Sequence, residues 1–265
     1  MTWLQVVVLA IVQGISEFLP ISSSGHLVLV PVAFGWSDQG LAFDVAVHFG
    51  SLLAVCAYFW GDIVALVRGG LQVVGFRQDT PESRMALAIG LGTIPAAAAG
   101  LTLAGWIETN LRSPSVIVFT LAGYAILMVL ADKLCRRDRA VSDVTLKDAI
   151  VIGCAQALAL VPGTSRSGVT ITAGRILGFD RRDAARFSFL LSVPVILLAT
   201  VYELGSLIMG DAIVPWLQLF VAVIVSAIVA YISIDFFMRV VTKIGLLPFA
   251  IYRLVLAAVI LYVLV

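Results

Sequence analysis

Apolar positions run along this chain in long blocks that short polar breaks separate. A helix needs about 20 apolar residues to cross the hydrocarbon of a bilayer. Blocks of that length predict full crossings at about 43–61, 85–106, 114–132, 187–208, 214–238 and 248–265. Two stretches, 1–40 and 148–178, are built differently: a helix-like apolar run, a Pro with a Ser-Gly cluster, then a second short apolar run.

Basic residues convert this pattern into a topology, because cytoplasmic loops carry the excess of Lys and Arg. They cluster at Arg68, Arg77 and Arg84; at Lys133, Arg136, Arg137, Arg139 and Lys147; at Arg175, Arg181, Arg182 and Arg186; and at Arg239 and Lys243. The breaks near Glu108 to Arg112 and Gly210 to Asp211 are poor in positive charge and suit the outer side. If 148–178 crossed fully, Arg181 and Arg182 would lie opposite Arg136 and Arg137. That stretch therefore reads as re-entrant from the cytoplasm, and 1–40 as re-entrant from outside. Irregular backbone at membrane depth is tolerated only inside protein or along a wet cavity, so two such breaks point to one internal site.

The two broken stretches also match each other. An offset of 143 residues pairs Ser22, Ser24 and Gly25 with Ser165, Ser167 and Gly168, Gln13 with Gln156 and Gly35 with Gly178, while Pro20 and Pro162 miss it by one. Three predicted crossings follow each stretch, and an odd number inverts the second copy. The expected fold is an all-α polytopic membrane protein with an inverted-topology repeat, about six full transmembrane helices and two re-entrant hairpins. Repeat 1 covers about 1–132 and repeat 2 about 148–265, joined by a cytoplasmic linker at 133–147.

Composition closes off other classes. With 61% hydrophobic and 12% charged residues, the chain is outside the range of soluble enzymes and secreted domains. A net charge of +1 leaves no basic excess for nucleic acid. Cys56, Cys135 and Cys154 are odd in number and lack CxxC spacing, which indicates neither a disulfide framework nor a thiolate zinc site.

The candidate chemistry lies in the two breaks. Gln13 and Glu17 are four apart and share a helix face; a carboxylate at that depth costs roughly 2.5 to 3.5 kcal/mol unless something compensates it. Pro20 is expected to end the first half-helix, and Ser22-Ser23-Ser24-Gly25-His26 to open a second near Gly25. Hydroxyls and free N–H groups at a helix start make an anion site. In the second break, Pro162-Gly163-Thr164-Ser165-Arg166-Ser167-Gly168 sets an Arg among hydroxyls, as phosphate recognition requires. Asp44, His48 and Thr170 are further candidates to line the site; Asp235 and Glu203 are given no role.

Gln13-x-x-x-Glu17, the Ser22–His26 run, the Pro162–Gly168 run and the ending Pro248-Phe249-Ala250-Ile251-Tyr252-Arg253 resemble the undecaprenyl-diphosphate phosphatase family associated with bacitracin resistance. The resemblance implies a multi-pass enzyme of the bacterial cytoplasmic (inner) membrane. Such an enzyme hydrolyses a polyprenyl diphosphate lipid to the monophosphate and inorganic phosphate and so recycles the carrier for wall synthesis. It places a proposed nucleophile on Ser23, a functional His on His26 and the phosphate-binding Arg on Arg166, and it implies a divalent cation, Mg or Ca, held by Glu17 and partly by the substrate diphosphate. Where family members often carry two acids in the first motif, Gln13 leaves Glu17 alone. Glu17 or His26 would take the proton of Ser23, and His26 could itself be the nucleophile. A lipid flippase or transporter is the alternative, because inverted repeats with broken helices are transporter architecture; a homodimer is left open. The other large lipid-phosphatase family carries a His six residues after its Arg, where this chain has Thr172.

Overall fold

A computed structural model describes residues 1–75, 80–111, 113–135, 138–208 and 215–264. Arg77, Arg112, Arg136, Arg137, Gly210 and Asp211 lie outside the described residues, as does the side chain of Glu108. Eleven α-helices are found there: α1 (Trp3–Ser16), α2 (Ser23–Phe34), α3 (Leu41–Tyr58), α4 (Trp60–Val74), α5 (Pro81–Asn110), α6 (Pro114–Leu134), α7 (Leu146–Ala157), α8 (Arg166–Ile176), α9 (Arg181–Ile208), α10 (Trp216–Ile244) and α11 (Leu247–Leu264). Helices α3, α5, α6, α9 and α10 are long and apolar enough to cross a membrane, and α11 is a shorter apolar helix. The chain is a multi-pass membrane protein.

Local chemistry sets the boundaries. Thr80 caps α5 ahead of Pro81, Ser113 caps α6 ahead of Pro114, and Thr145 caps α7 in a reciprocal box with Asp148. The predicted crossing at 43–61 ends earlier, at Tyr58. The chain then starts a separate helix, α4, whose apolar and polar residues segregate to opposite faces and which no apolar block of spanning length announces. The first half-helix ends at Ser16, four residues ahead of Pro20, and its partner begins at Ser23 rather than Gly25.

Glycines let the hairpin helices approach their neighbours. A Cβ on Gly14 of α1 would lie 2.8 Å from Val229 Cβ and 2.9 Å from Ser226 O, both on α10. On α7, a Cβ at Gly153 would come within 2.3 Å of Gly92 O on α5. Backbones this close gain dispersion contacts that lipid tails do not supply. From the first hairpin, an aromatic ladder links Phe18 to Phe189 (centroids 5.2 Å apart), Phe189 to Phe237 (5.8 Å) and Phe237 to Phe249 (5.2 Å).

The basic patches converge through acidic partners. Arg186 pairs with Asp62 of α4. Asp132 at the end of α6 accepts from Arg175 Nε at 3.2 Å, Arg181 Nε at 2.7 Å and the Leu246 amide at 3.2 Å, tying α6, α8, α9 and the turn between α10 and α11 together. Arg175 departs from the expected surface charge: it is completely buried, and it also donates to Phe179 O. In the linker, Arg139 donates to Asp148 at 2.6 Å, a bond that raises the guanidinium above its ordinary value.

The α5–α7 contact predicts a sharp packing limit. Gly153→Val would drive side-chain atoms into the Gly92 backbone and is expected to lower the unfolding midpoint of detergent-purified protein by more than about 5 °C. An unchanged midpoint in a thermal melt would show that α5 and α7 do not pack through this glycine.

Candidate active site

Each serine turn sets its first serine in the same unusual backbone. Ser22 has φ 76° and ψ 93°, and Ser165 has φ 69° and ψ 112°. These are the two described non-glycine residues with positive φ. A non-glycine residue there costs of order 1–3 kcal/mol, so the surroundings must hold both turns. Each Oγ caps its half-helix, Ser22 accepting from Gly25 N at 3.4 Å and Ser165 from Gly168 N at 3.2 Å. Each also lies 3.3 Å from the hydroxyl two residues on, Ser24 and Ser167. Ser22 is therefore the cap of the first half-helix.

The hairpins meet at Glu17. Its Oε1 accepts from Arg166 Nη2 at 2.9 Å, while its Oε2 accepts from Ser23 Oγ at 2.9 Å and from Gln13 Nε2 at 3.0 Å. Both charged side chains are largely buried, so each serves as the other's counter-ion. Ser167 Oγ adds a second cross-link, donating to Leu19 O at 3.0 Å. Glu17 and Ser188 O occupy two of the five N–H donors of Arg166, and the guanidinium carbon stands 5.5 Å from the centroid of the Phe18 ring. The remaining donors can serve a phosphate, beside two half-helix N-termini whose first-turn amides have no intrahelical partner.

The other candidates divide. His48 Nε2 lies 3.7 Å from Glu17 Oε2 and joins the site, whereas the Asp44 carboxylate accepts from Gln39 Nε2 at 3.0 Å. Thr170 Oγ1 bonds back to Arg166 O at 2.7 Å and meets Ser188 Oγ at 2.6 Å, and Thr172 Oγ1 bonds back to Gly168 O. Thr164 is buried, and its hydroxyl has no hydrogen-bond partner among the described residues. His26 faces away from Ser23: Nδ1 lies 2.7 Å from Ser22 O, and Nε2 lies 2.6 Å from the Tyr252 hydroxyl.

Comparison with known proteins covers almost the whole chain. Residues 6–259 match the family model described as bacitracin resistance protein BacA. This chain belongs to that family. It is 50% identical over 264 residues to undecaprenyl-diphosphatase 2 of Stutzerimonas stutzeri, with 98% of each chain covered. It is likewise 50% identical over 258 residues to undecaprenyl-diphosphatase of Hahella chejuensis (97% of each) and 51% identical over 255 residues to the enzyme of that name from Saccharophagus degradans (96% of each).

Residue-by-residue reading of this BacA-family chain passed over Ser188 and gave no separate role to Tyr252 or Arg253. Arg253 is almost completely buried and donates to Leu121 O at 3.2 Å and to Gly163 O and Thr164 O at 3.0 Å, fixing the carbonyls of the second turn. A lone Arg late in an apolar helix was the available signal, and the Tyr252-Arg253 pair was visible only as part of the family ending.

Strain at Ser22 yields a test. Ser22→Gly relieves the positive φ but loses the cap, whereas Ser22→Ala loses the cap and keeps the strain. The alanine variant should therefore be less stable than the glycine variant by about 1 kcal/mol. Equal denaturant midpoints would show that the turn relaxes to ordinary dihedrals.

Proposed function

We propose that the chain is an undecaprenyl-diphosphatase that hydrolyses the lipid diphosphate to undecaprenyl phosphate and inorganic phosphate. The observation that carries this reading is the Ser23–Glu17–Arg166 array, with nucleophile, base and phosphate clamp in one hydrogen-bonded line. Its activity would return the lipid carrier to wall synthesis in the bacterial inner membrane and underlie bacitracin resistance. Of the two nitrogens of His26, one faces the Ser22 carbonyl and the other Tyr252, which supports Glu17 as the base for Ser23.

In the reaction, Arg166, the serine hydroxyls and the half-helix amides hold the terminal phosphate. Ser23 Oγ attacks its phosphorus, the hydroxyl proton passes to Glu17 Oε2, and the bond to the bridging oxygen breaks, releasing the lipid monophosphate. Glu17 gives that proton up to solvent, takes another from the water that attacks the phosphoserine, and returns it to Ser23 as inorganic phosphate leaves, which restores both side chains.

A divalent cation fits in part. Gln13, whose Nε2 donates to Glu17, has a buried Oε1 with no hydrogen-bond partner among the described residues, and amide and carboxylate oxygens are ligands that Mg or Ca accepts. Among the described residues no group of three or more His, Cys, Asp or Glu forms, so the diphosphate would complete the ligand set. When bound, the ion would neutralise diphosphate charge.

The matched turns at an offset of 143 residues support an inverted repeat, with repeat 1 at about 1–132 and repeat 2 at about 148–265. On that reading the site opens to the outer, periplasmic side. In a cysteine-free background, an impermeant maleimide applied to intact cells should label Asp38→Cys and spare Asp138→Cys. The reverse pattern would overturn the orientation.

Phosphate release by purified protein from the C55 diphosphate, with and without chelator, tests the activity. Glu17→Gln keeps an oxygen that accepts from Arg166, so it should fold with lower stability, and it should lose at least about a hundredfold in kcat, since only the ionised oxygen accepts the serine proton. Arg166→Lys keeps the charge without the planar fork and should lose about tenfold or more. Lipid binding without turnover in the unaltered protein would favour a carrier instead.

A further inference from the structure

Tyr252 on α11 is joined to the nucleophile's turn by an unbroken relay of hydrogen bonds. The carbonyl of Ser22 can only accept, so the 2.7 Å contact from His26 Nδ1 requires a proton on that nitrogen. In the neutral ring Nε2 is then a bare acceptor, and the 2.6 Å contact to Tyr252 is a bond donated by the phenol. The two rings stack with centroids 5.6 Å apart and planes 10° from parallel. The Ser22 carbonyl belongs to the residue held at φ 76°, directly before Ser23. Glu17 is bonded to Gln13, Ser23 and Arg166, and Arg253 donates through Nε and Nη2 to backbone carbonyls.

We infer that Tyr252 is a positioning residue for the nucleophile: its hydroxyl sets the tautomer of His26, and the Nδ1–H of His26 anchors the strained carbonyl that aims Ser23 at phosphorus. This rests on the reading of Ser23 as nucleophile. The phenol's hydrogen bond is to His26 and not to Ser23. Arg166 and the second turn, which bind phosphate, are held independently by Glu17, Ser188 and Arg253. Loss of the phenol should therefore weaken the chemical step and leave substrate binding almost intact.

The test uses full-length detergent-purified protein and Tyr252→Phe, which removes one oxygen from a side chain that is 44% exposed. Turnover of a C55 diphosphate should show kcat lower by about five- to tenfold, the effect of one ordinary hydrogen bond, with KM within about twofold. Nitrogen-15 NMR of the imidazoles, assigned by the loss of signals in His26→Gln, should show the Nδ1–H tautomer in the unaltered protein. In Tyr252→Phe the His26 Nε2 signal should shift and the alternative tautomer should appear.

A Tyr252→Phe protein with unchanged kcat, or with unchanged His26 nitrogen signals, would overturn the inference. The unaltered protein provides a check that needs no variant, because an Nε2–H tautomer of neutral His26 would be equally fatal. Absence of phosphate release from the unaltered protein would instead count against the phosphatase reading, while the NMR arm would still report on the relay.

Discussion

The ion pair between Glu17 and Arg166 is the constraint around which the molecule is arranged. Each charge sits on a different broken hairpin and is largely buried, and a buried charge without its partner costs several kcal/mol. The hairpins must therefore meet. Their meeting point needs backbone that is free of helical pairing yet shielded from lipid, which the surrounding long helices supply. Close packing through Gly14 against α10 and Gly153 against α5 brings each hairpin to that point.

Two turns of one design carry different chemistry. Ser23 and Arg166 are the first residues of α2 and α8 and stand 143 positions apart, so the proposed nucleophile and the proposed clamp occupy matching places. The positive-φ serine before each turns the chain so that the next side chain and the first-turn amides face the interior. Sequence differences at matched positions then divide the labour: Glu17 faces Leu160 in the alignment, and His26 faces Val169. Helix α11 serves both turns from behind, Tyr252 through His26 and Arg253 through the carbonyls of Gly163 and Thr164. Backbone carbonyls of both turns are thereby engaged by side chains of the interior.

Sequence alone determined the membrane class, most of the long helices and the two broken stretches, because hydropathy over about 20 residues and Ser-Gly-Pro punctuation are local properties. Glu17, Ser23 and Arg166 were legible for the same reason: charge and hydroxyl groups in apolar surroundings stand out one residue at a time. Helix α4 was not, since its polar face breaks the apolar run that would mark a crossing. Tertiary structure alone decided that His26 turns to Tyr252 rather than Ser23, that the Ser22 hydroxyl caps the half-helix, and that Arg175 is buried against Asp132 instead of facing the cytoplasm. Each depends on a dihedral angle or on a partner distant in the chain, and side-chain direction in a folded interior is set by such partners rather than by neighbours in sequence.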